Sequence, residues 1–379
     1  MTRKVDVIII GGGPAGATAA FFLGQAGRKV LVLEKEFLPR YKTCGGAISA
    51  KVLEQFPFSF EPVIQSKVNA ISYAFKDRMV TIPLADSSLR MVMRAEFDAY
   101  LLSHVQAEIH EGTAVRAVKE SLETVAVETV EGERFESDYL IAADGANSIV
   151  ARALNLRHRK IMAGAIEIEA VVSQATLRRF MNNPVLIFGE LGLGYLWIFP
   201  KADHLSIGIG GLNPKPGELQ AVLKRVMERF GISIQAQLQH GHPLPIYRQR
   251  EALGTARCLL AGDAAGLVDP FTGEGIRFAI KSGRLAAEAL LSGKPELYAA
   301  AVEQQISRNH RLGNLLTTIF YGMPKPSFEF ALRNPVLSHG LVDMVADQIG
   351  YSKLILAIAG TFPLFMLRKK IALEKSAVS

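Results

Sequence analysis

Three glycines stand at the spacing of a phosphate-binding turn. Gly11, Gly13 and Gly16, in Gly11-Gly12-Gly13-Pro14-Ala15-Gly16, fill the G-x-G-x-x-G positions directly after the β-branched run Val5 to Ile10. In such a turn the first glycine permits the bend, the second lets backbone approach a pyrophosphate, and the third lets a helix pack closely on the strand. Pro14 suits a first helical turn, so the unpaired N–H groups around Ala15 and the positive end of the helix dipole face the phosphates. Glu34 follows at the spacing of an acid that accepts from the adenosine ribose. The chemistry is dinucleotide binding, and the turn alone does not choose between FAD and NAD.

Two further groups of residues carry chemistry. Tyr195, Trp197 and Phe199 alternate along one expected strand, so their rings share a face and either line an apolar slot or belong to a plain aromatic core. Cys44 lies beside Gly45 and Gly46 with Lys42 nearby. It is the candidate catalytic thiol, or else a packing contact.

These groups need a frame. Val5 to Ile10 reads as a buried parallel strand, Pro14 to Gln25 as a helix stopped by Gly27, and Lys29 to Glu34 as the second strand of a right-handed βαβ unit. Glu108 to Ala143 resembles an antiparallel meander that returns to a parallel strand at Tyr139 to Ala143. Ala163 to Gly211 supplies a second sheet, and beyond Gly262 the chain turns mostly helical. The expected fold class is α/β: a Rossmann-like βαβ nucleotide domain in split segments, an inserted antiparallel-sheet substrate domain and a helical C-terminal region. The expected boundaries are 1–70, 95–160 and 255–295 for the first, 71–94 and 161–254 for the second, and 296–379 for the third.

Bulk properties narrow the class. A chain of 379 residues is long enough for about two domains and a large cofactor. Its net charge of +7 favours anionic partners, but the basic residues are scattered, with no stripe suited to nucleic acid. Only Cys44 and Cys258 occur, and Cys258 sits in an apolar run, so no disulfide framework is expected and a reducing, cytoplasmic setting is. No metal site is expected. The N-terminus carries no export signal, and no stretch reaches the ~18 unbroken apolar residues of a spanning helix. Leu354 to Leu367 comes nearest and is interrupted by Gly360, Thr361 and Pro363. Pro324 to Lys370, ending Leu367-Arg368-Lys369-Lys370, reads as helical and apolar: either an amphipathic surface for peripheral membrane contact or lipid-pocket capping, or a buried helical layer.

Further segments carry a family resemblance. Tyr139 to Ser148, containing Asp144-Gly145, resembles the Asp-Gly motif of the p-hydroxybenzoate-hydroxylase-like flavoproteins, and Leu259 to Gly266, containing Gly262-Asp263, resembles their second FAD motif. Pro39-Arg40-Tyr41-Lys42-Thr43-Cys44-Gly45-Gly46 resembles the P-x-x-K-x-C-G-G signature of the geranylgeranyl reductase family within that superfamily. Gly194 to Lys201, followed by Gly208-Ile209-Gly210, is similar to its Y-x-W-x-F-P…G-x-G pattern. The resemblance runs from Val5 to about Leu290.

That resemblance implies FAD, with Asp263 on the ribitol, Asp144 and Gly262 at their motifs, and the Cys44-Gly45-Gly46 loop by the flavin. Gly275 and Ile276, at the start of another helix, would lay main chain against the isoalloxazine ring, where the helix N-terminus stabilises negative charge. Arg94 would face FAD unless it is a solvated surface arginine. Val118 would meet the adenine end unless it is an ordinary strand valine. The implied reaction saturates prenyl double bonds of a lipid, quinone or chlorophyll precursor, with electrons from NAD(P)H or a ferredoxin-like donor. Arg40 and Lys42 would then pair with a phosphate or diphosphate headgroup, or remain solvated loop cations. No residue in the sequence stands out as the acid for the proton; the candidates are Cys44 and a water that it holds. Alternatives are an aromatic hydroxylase, a flavin-dependent halogenase, or a non-enzymatic FAD- or lipid-binding protein.

Overall fold

The computed structural model describes residues 3–84, 88–157, 161–234 and 236–363. The first strand, Arg3–Ile10, lies at the centre of a seven-stranded sheet. Val30–Leu33 and then Glu108–His110 run parallel on one side of it, and Arg134–Ala142 runs parallel on the other. Ile8 and Ile9 are fully buried, as strands covered on both faces require.

Arg134–Ala142 is longer than the parallel strand expected at Tyr139 to Ala143: it pairs with Arg3–Ile10 from Phe135 to Ala142, and its outer edge serves two partners. Residues 134–137 pair antiparallel with Val125–Thr129, and residues 140–142 pair parallel with Cys258–Leu260. One long strand therefore joins the meander to the segment that returns from the middle of the chain.

Pro14–Gln25 begins at the glycine turn and lies against a later helix, Ile276–Leu291. Their backbones touch at Gly283, where a Cβ would come within 2.2 Å of the Ala15 carbonyl oxygen. This contact brings the N-termini of both helices to one rim of the sheet.

The second seven-stranded sheet has the order Ala236–Ile246, Ile161–Val171, Leu205–Leu212, Gly194–Pro200, Val185–Phe188, Ala70–Phe75, Arg78–Pro83. Its pairs are antiparallel except Val185–Phe188 with Ala70–Phe75. Alternation sorts its faces. Leu196, Ile198, Ile207 and Ile209 bury against the helices Gln174–Phe180 and Glu218–Arg229, whereas Tyr195 and Phe199 point to the other side with Tyr73 and Phe188. A three-stranded sheet, Ala47–Ser49, Leu89–Val92 and Ile64–Val68, links the two.

The C-terminal region is several helices, as a helical region was expected. Arg308–Gly322, Pro324–Arg333 and Pro335–Val345 are followed by a helix over 351–363 that continues through Gly360 and Thr361. Proline opens two of them, and the Asn334 side chain caps the third by accepting from the N–H groups of Val336 and Leu337. Most of this layer is packed: Phe320, Phe328 and Val342 join the core of the second sheet. The Leu367 to Lys370 segment lies outside the described residues. Among the described residues no helix is long and apolar enough to cross a membrane.

Candidate active site

The glycine turn is fixed by close contacts. Gly11 has φ +100°, and a Cβ on it would meet the Ala143 carbonyl oxygen at 2.3 Å. A Cβ on Gly16 would sit 1.9 Å from the Gly11 carbonyl oxygen, and one on Gly262 would touch the Ala15 Cβ at 3.0 Å. These are packing glycines. Gly13 differs: its nearest atoms would be the Arg40 and Arg94 guanidinium nitrogens at 3.7 and 4.0 Å, so its missing side chain leaves open space. Gly13 is also the cap of a helix with no side-chain cap and no acid in its first turn, which leaves N–H groups free for an anion.

Charge gathers at this turn. Arg94 is buried and holds Asp98 through Nε to Oδ1 at 2.8 Å and Nη2 to Oδ2 at 2.7 Å. Arg40 Nη1 donates to the same Oδ2 at 2.9 Å. Two guanidinium groups thus share one fully buried carboxylate, leaving a surplus positive charge near Gly13. Arg40 is therefore not a free loop cation and lies at the glycine-turn end of the cavity. Asp98 was missed in the sequence, although its i,i+4 spacing from Arg94 on one helix was a usable signal.

Acids ring the same end. Glu34 is buried and accepts from the Gly12 N–H at 2.6 Å and the Glu36 N–H at 3.0 Å. Asp144 Oδ2 caps the short helix Ile149–Ala153, accepting from Ile149 and Val150. Its Oδ1 is buried with no protein partner, and burial pushes the carboxyl up against the pull of those bonds. Asp263 Oδ2 stands 3.9 Å from Lys42 Nζ, which also donates to His242 Nε2 at 2.9 Å. Burial lowers the Lys42 pKa, and burial beside that lysine holds His242 near about 4.

The Cys44-Gly45-Gly46 loop crosses from this end to the aromatic strand. A Cβ on Gly45 would meet Phe199 Cδ2 at 2.8 Å and Trp197 Nε1 at 3.0 Å; one on Gly46, at φ +70°, would meet the Val92 carbonyl oxygen at 2.0 Å. The loop is clamped by two buried ions that the sequence reading passed over. Glu167 Oε2 accepts from the Cys44 N–H at 2.6 Å and from Tyr41 Oη at 3.2 Å, while Ser206 donates to its other oxygen. Lys201 Nζ donates to the carbonyls of Gly45 at 2.7 Å and Val92 at 3.0 Å. Burial raises the Glu167 carboxyl and lowers the Lys201 ammonium. The available signal was a charged residue on the alternating apolar run Ile166–Val171, and a lysine directly after Pro200.

The rings of Tyr195, Trp197 and Phe199 form a wall with successive centroids 6.2 and 6.3 Å apart. The Gly208-Ile209-Gly210 pattern has a steric cause: Gly208 lies opposite Trp197, and a Cβ there would meet the indole at 2.1 Å. Tyr195 Oη donates to the Thr272 carbonyl, tying the wall to the loop before Ile276.

One cavity of about 820 Å³ joins these parts, a size suited to a large ligand. Gly11, Gly13, Ala15, Glu34, Arg40, Lys42, Arg94, Asp144 and Asp263 line it at the glycine-turn end. Cys44, Gly45, Gly46, Gly275 and Ile276 border its middle, followed by Tyr195, Trp197 and Phe199. It continues into Tyr73, Phe188, Tyr321, Leu341, Met344 and Val345. Gly16 and Gly262 lie behind the wall. Val118 does not line the cavity: it sits opposite Val127 in the meander, half-buried against the core, and the strand reaches the cavity earlier, at Thr113, Ala114 and Val115.

A sequence profile of the pyridine nucleotide-disulphide oxidoreductases matches residues 5–157. The chain is 31% identical to the geranylgeranyl diphosphate reductase of Rhodobacter capsulatus over 307 residues, 77% of each chain. It is 27% identical to the menaquinone reductase of Mycolicibacterium smegmatis over 83% of each. Its fold is similar to the crystal structure of a geranylgeranyl bacteriochlorophyll reductase-like protein from Thermoplasma acidophilum, with a TM-score of 0.78 at 23% identity, covering 96% of this chain and 98% of that one. The chain belongs to the geranylgeranyl reductase family and is an FAD-dependent oxidoreductase of that type.

Proposed function

We propose that the chain saturates isolated double bonds of a prenyl lipid, with FAD at the glycine-turn end of the cavity and the prenyl chain along its aromatic and aliphatic end. The observation that carries the reading is the continuity of that cavity from the Gly13 turn, through the Cys44-Gly45-Gly46 loop, to Tyr321 and Leu341.

The residues present fit FAD. Gly13 leaves room for a pyrophosphate against the bare helix N-terminus, with Arg94 and Arg40 supplying positive charge. The orphaned Asp144 Oδ1 and the partly exposed Asp263 are acceptors awaiting hydroxyl donors. Glu34 stands at the ribose position. Gly275 and Ile276 open a long helix whose N-terminus favours negative charge on a reduced ring. In this reading Arg40 and Lys42 serve the cofactor end, because Asp98 and Asp263 already hold them there. Bound FAD supplies an electron pair and one hydrogen. Trp197, Phe199 and Tyr195 exclude water and orient the alkene, and Cys44 abuts its reacting end.

The electrons come from NAD(P)H or a ferredoxin-like protein, whichever reduces the bound FAD anaerobically. The test is to offer the reduced, oxygen-free protein geranylgeranyl diphosphate and a menaquinone, and to weigh the products. Gain of one hydrogen molecule per saturated bond is expected. Turnover only when oxygen is admitted would overturn the reading in favour of hydroxylation or halogenation.

A further inference from the structure

Saturating an alkene requires a proton besides what the cofactor supplies, and in a dry cavity a side chain must hold it. We propose that Glu274 is that acid, its carboxyl group standing where the cofactor end of the cavity meets the aromatic wall. The proposal rests on the prenyl-saturating reading.

Placement selects it among the carboxyl groups that line the cavity. Glu34 and Asp144 are at the nucleotide turn and are engaged by backbone N–H groups. Glu36 is exposed beside Lys35. Asp263 faces Lys42. Asp269 is fully buried beneath the loop, where its Oδ1 accepts from Phe271, Thr272 and the Tyr351 hydroxyl. Glu274 lies between two glycines that mark the boundary. A Cβ on Gly273 would touch the Tyr195 hydroxyl at 3.0 Å, and one on Gly275 would lie 3.7 Å from Asp263 Oδ1.

A second observation points to the same spot. Tyr73 lines the cavity, is only 7% exposed, and its hydroxyl has no hydrogen-bond partner in the protein. The Glu274 charge reaches it and helps hold its phenol protonated, after burial. Glu274 and Tyr73 thus both line the cavity, together with Tyr195, Phe188 and Tyr321.

The charges around Glu274 suit an acid that must give up its proton and take it back. Arg277 binds it from the following helix turn, and itself donates to Asp347 Oδ1 at 2.8 Å. Asp269 and Asp347 oppose ionisation from the loop and the C-terminal region, and Tyr73 and Tyr195 close the apolar side. Burial dominates and pushes the carboxyl up to about 7, so near neutral pH both protonation states are populated. In the step, the alkene π electrons form a C–H bond with the Glu274 proton. The other carbon accepts the electron pair and hydrogen supplied by the reduced cofactor. The carboxylate left behind is held by Arg277 and recovers a proton from water. Two electrons and two hydrogens are added in all.

The test compares the FAD-loaded wild type with Glu274→Gln and Glu274→Asp. In the oxidised protein without substrate, infrared spectroscopy should show a carboxylic-acid carbonyl band that titrates near about 7 and is missing from Glu274→Gln. In anaerobic single turnover of pre-reduced protein with geranylgeranyl diphosphate, the wild-type rate should fall as pH rises through that value. Glu274→Gln should lose about 10²–10⁴-fold with no such slope, while Glu274→Asp keeps the slope at reduced rate. A wild-type profile flat between about pH 5 and about pH 9 overturns the proposal, as does wild-type turnover by a folded Glu274→Gln. Should that variant not fold, the wild-type titration and profile decide. Wild-type protein that saturates no prenyl compound sinks the functional reading instead, which the infrared titration does not test.

Discussion

Gly13 and Gly16 are three residues apart, yet the structure gives them opposite reasons to lack a side chain. At Gly16 a methyl would collide with the Gly11 carbonyl oxygen at 1.9 Å, whereas at Gly13 it would project into the cavity with nothing closer than 3.7 Å. Gly16→Ala should therefore destabilise the folded protein by more than about 2 kcal/mol in urea unfolding. Gly13→Ala should leave the unfolding of the FAD-free protein nearly unchanged and weaken FAD binding about tenfold or more, read by fluorescence titration. Equal effects at both sites would argue against a cofactor over Gly13. Glu274 gives a second test, independent of turnover. Its carboxyl is raised from 4.5 to about 7 in the folded protein, so the folded state keeps a proton that the unfolded chain releases. That contribution to stability is whole below the unfolded value and is lost as pH climbs through the folded one. Between about pH 4 and about pH 8 the wild type should lose about 3 kcal/mol more than Glu274→Gln in urea unfolding. At this scale the sequence was legible where spacing is local. The glycines, Glu34 and the alternating Tyr195, Trp197 and Phe199 all announce themselves within a few residues. Glu167 and Lys201 did not, because what they hold is 123 and 156 positions away in the chain.

At the scale of elements, the Cys44-Gly45-Gly46 loop has little regular structure of its own, and its position is imposed by two strands of the other sheet. Ile161–Val171 contributes Glu167 to the Cys44 N–H, and Lys201, following Gly194–Pro200, binds the Gly45 carbonyl. Both ions are fully buried, so their hydrogen bonds are costly to leave unmade. Lys201→Met keeps the length and apolar stem while removing the donor. It should cost about 1–3 kcal/mol in urea unfolding. It should also raise KM for the prenyl substrate with FAD content unchanged, because Gly45 would no longer be pinned against Trp197 and Phe199. A variant with normal KM would mean that the loop is held well enough by Glu167 alone. Element types were readable from local start and stop signals, as with Pro14–Gln25, found as expected. Element lengths were not. The strand reaching Ala142 begins at Arg134, pairing with Arg3–Ile10 from Phe135 onward and with two further partners on its other edge, and no local pattern reports how many neighbours a strand will have. The helical stretch expected after Pro324 gave no helix boundaries, and the structure divides it where Asn334 supplies a cap.

At the scale of the whole molecule, the cavity exists because the chain leaves the first sheet after Ala142 and re-enters it at Cys258, and the five strands made in between join Ala70–Phe75 and Arg78–Pro83 in a second sheet across the Cys44 loop. The glycine-turn end was legible because its motifs stand next to strands in sequence order. The far end was not. Its wall combines Tyr73 and Phe188 from the second sheet with Tyr321, Leu341, Met344 and Val345 from the C-terminal helices, and no single segment carries its pattern. Those helices sit against the aromatic face through Phe320, Phe328 and Val342, so they close the far end of the cavity. If that chamber takes the distal part of the prenyl chain, its depth sets the longest chain accepted. Leu341→Trp should then shorten it: turnover of geranylgeranyl diphosphate falls about tenfold or more, and turnover of the shorter geranyl diphosphate is kept, in the same anaerobic assay with FAD content checked by absorbance. An equal fall for both chain lengths would mean that the tail leaves the cavity before reaching Leu341, and that the C-terminal helices brace the aromatic wall without touching the substrate.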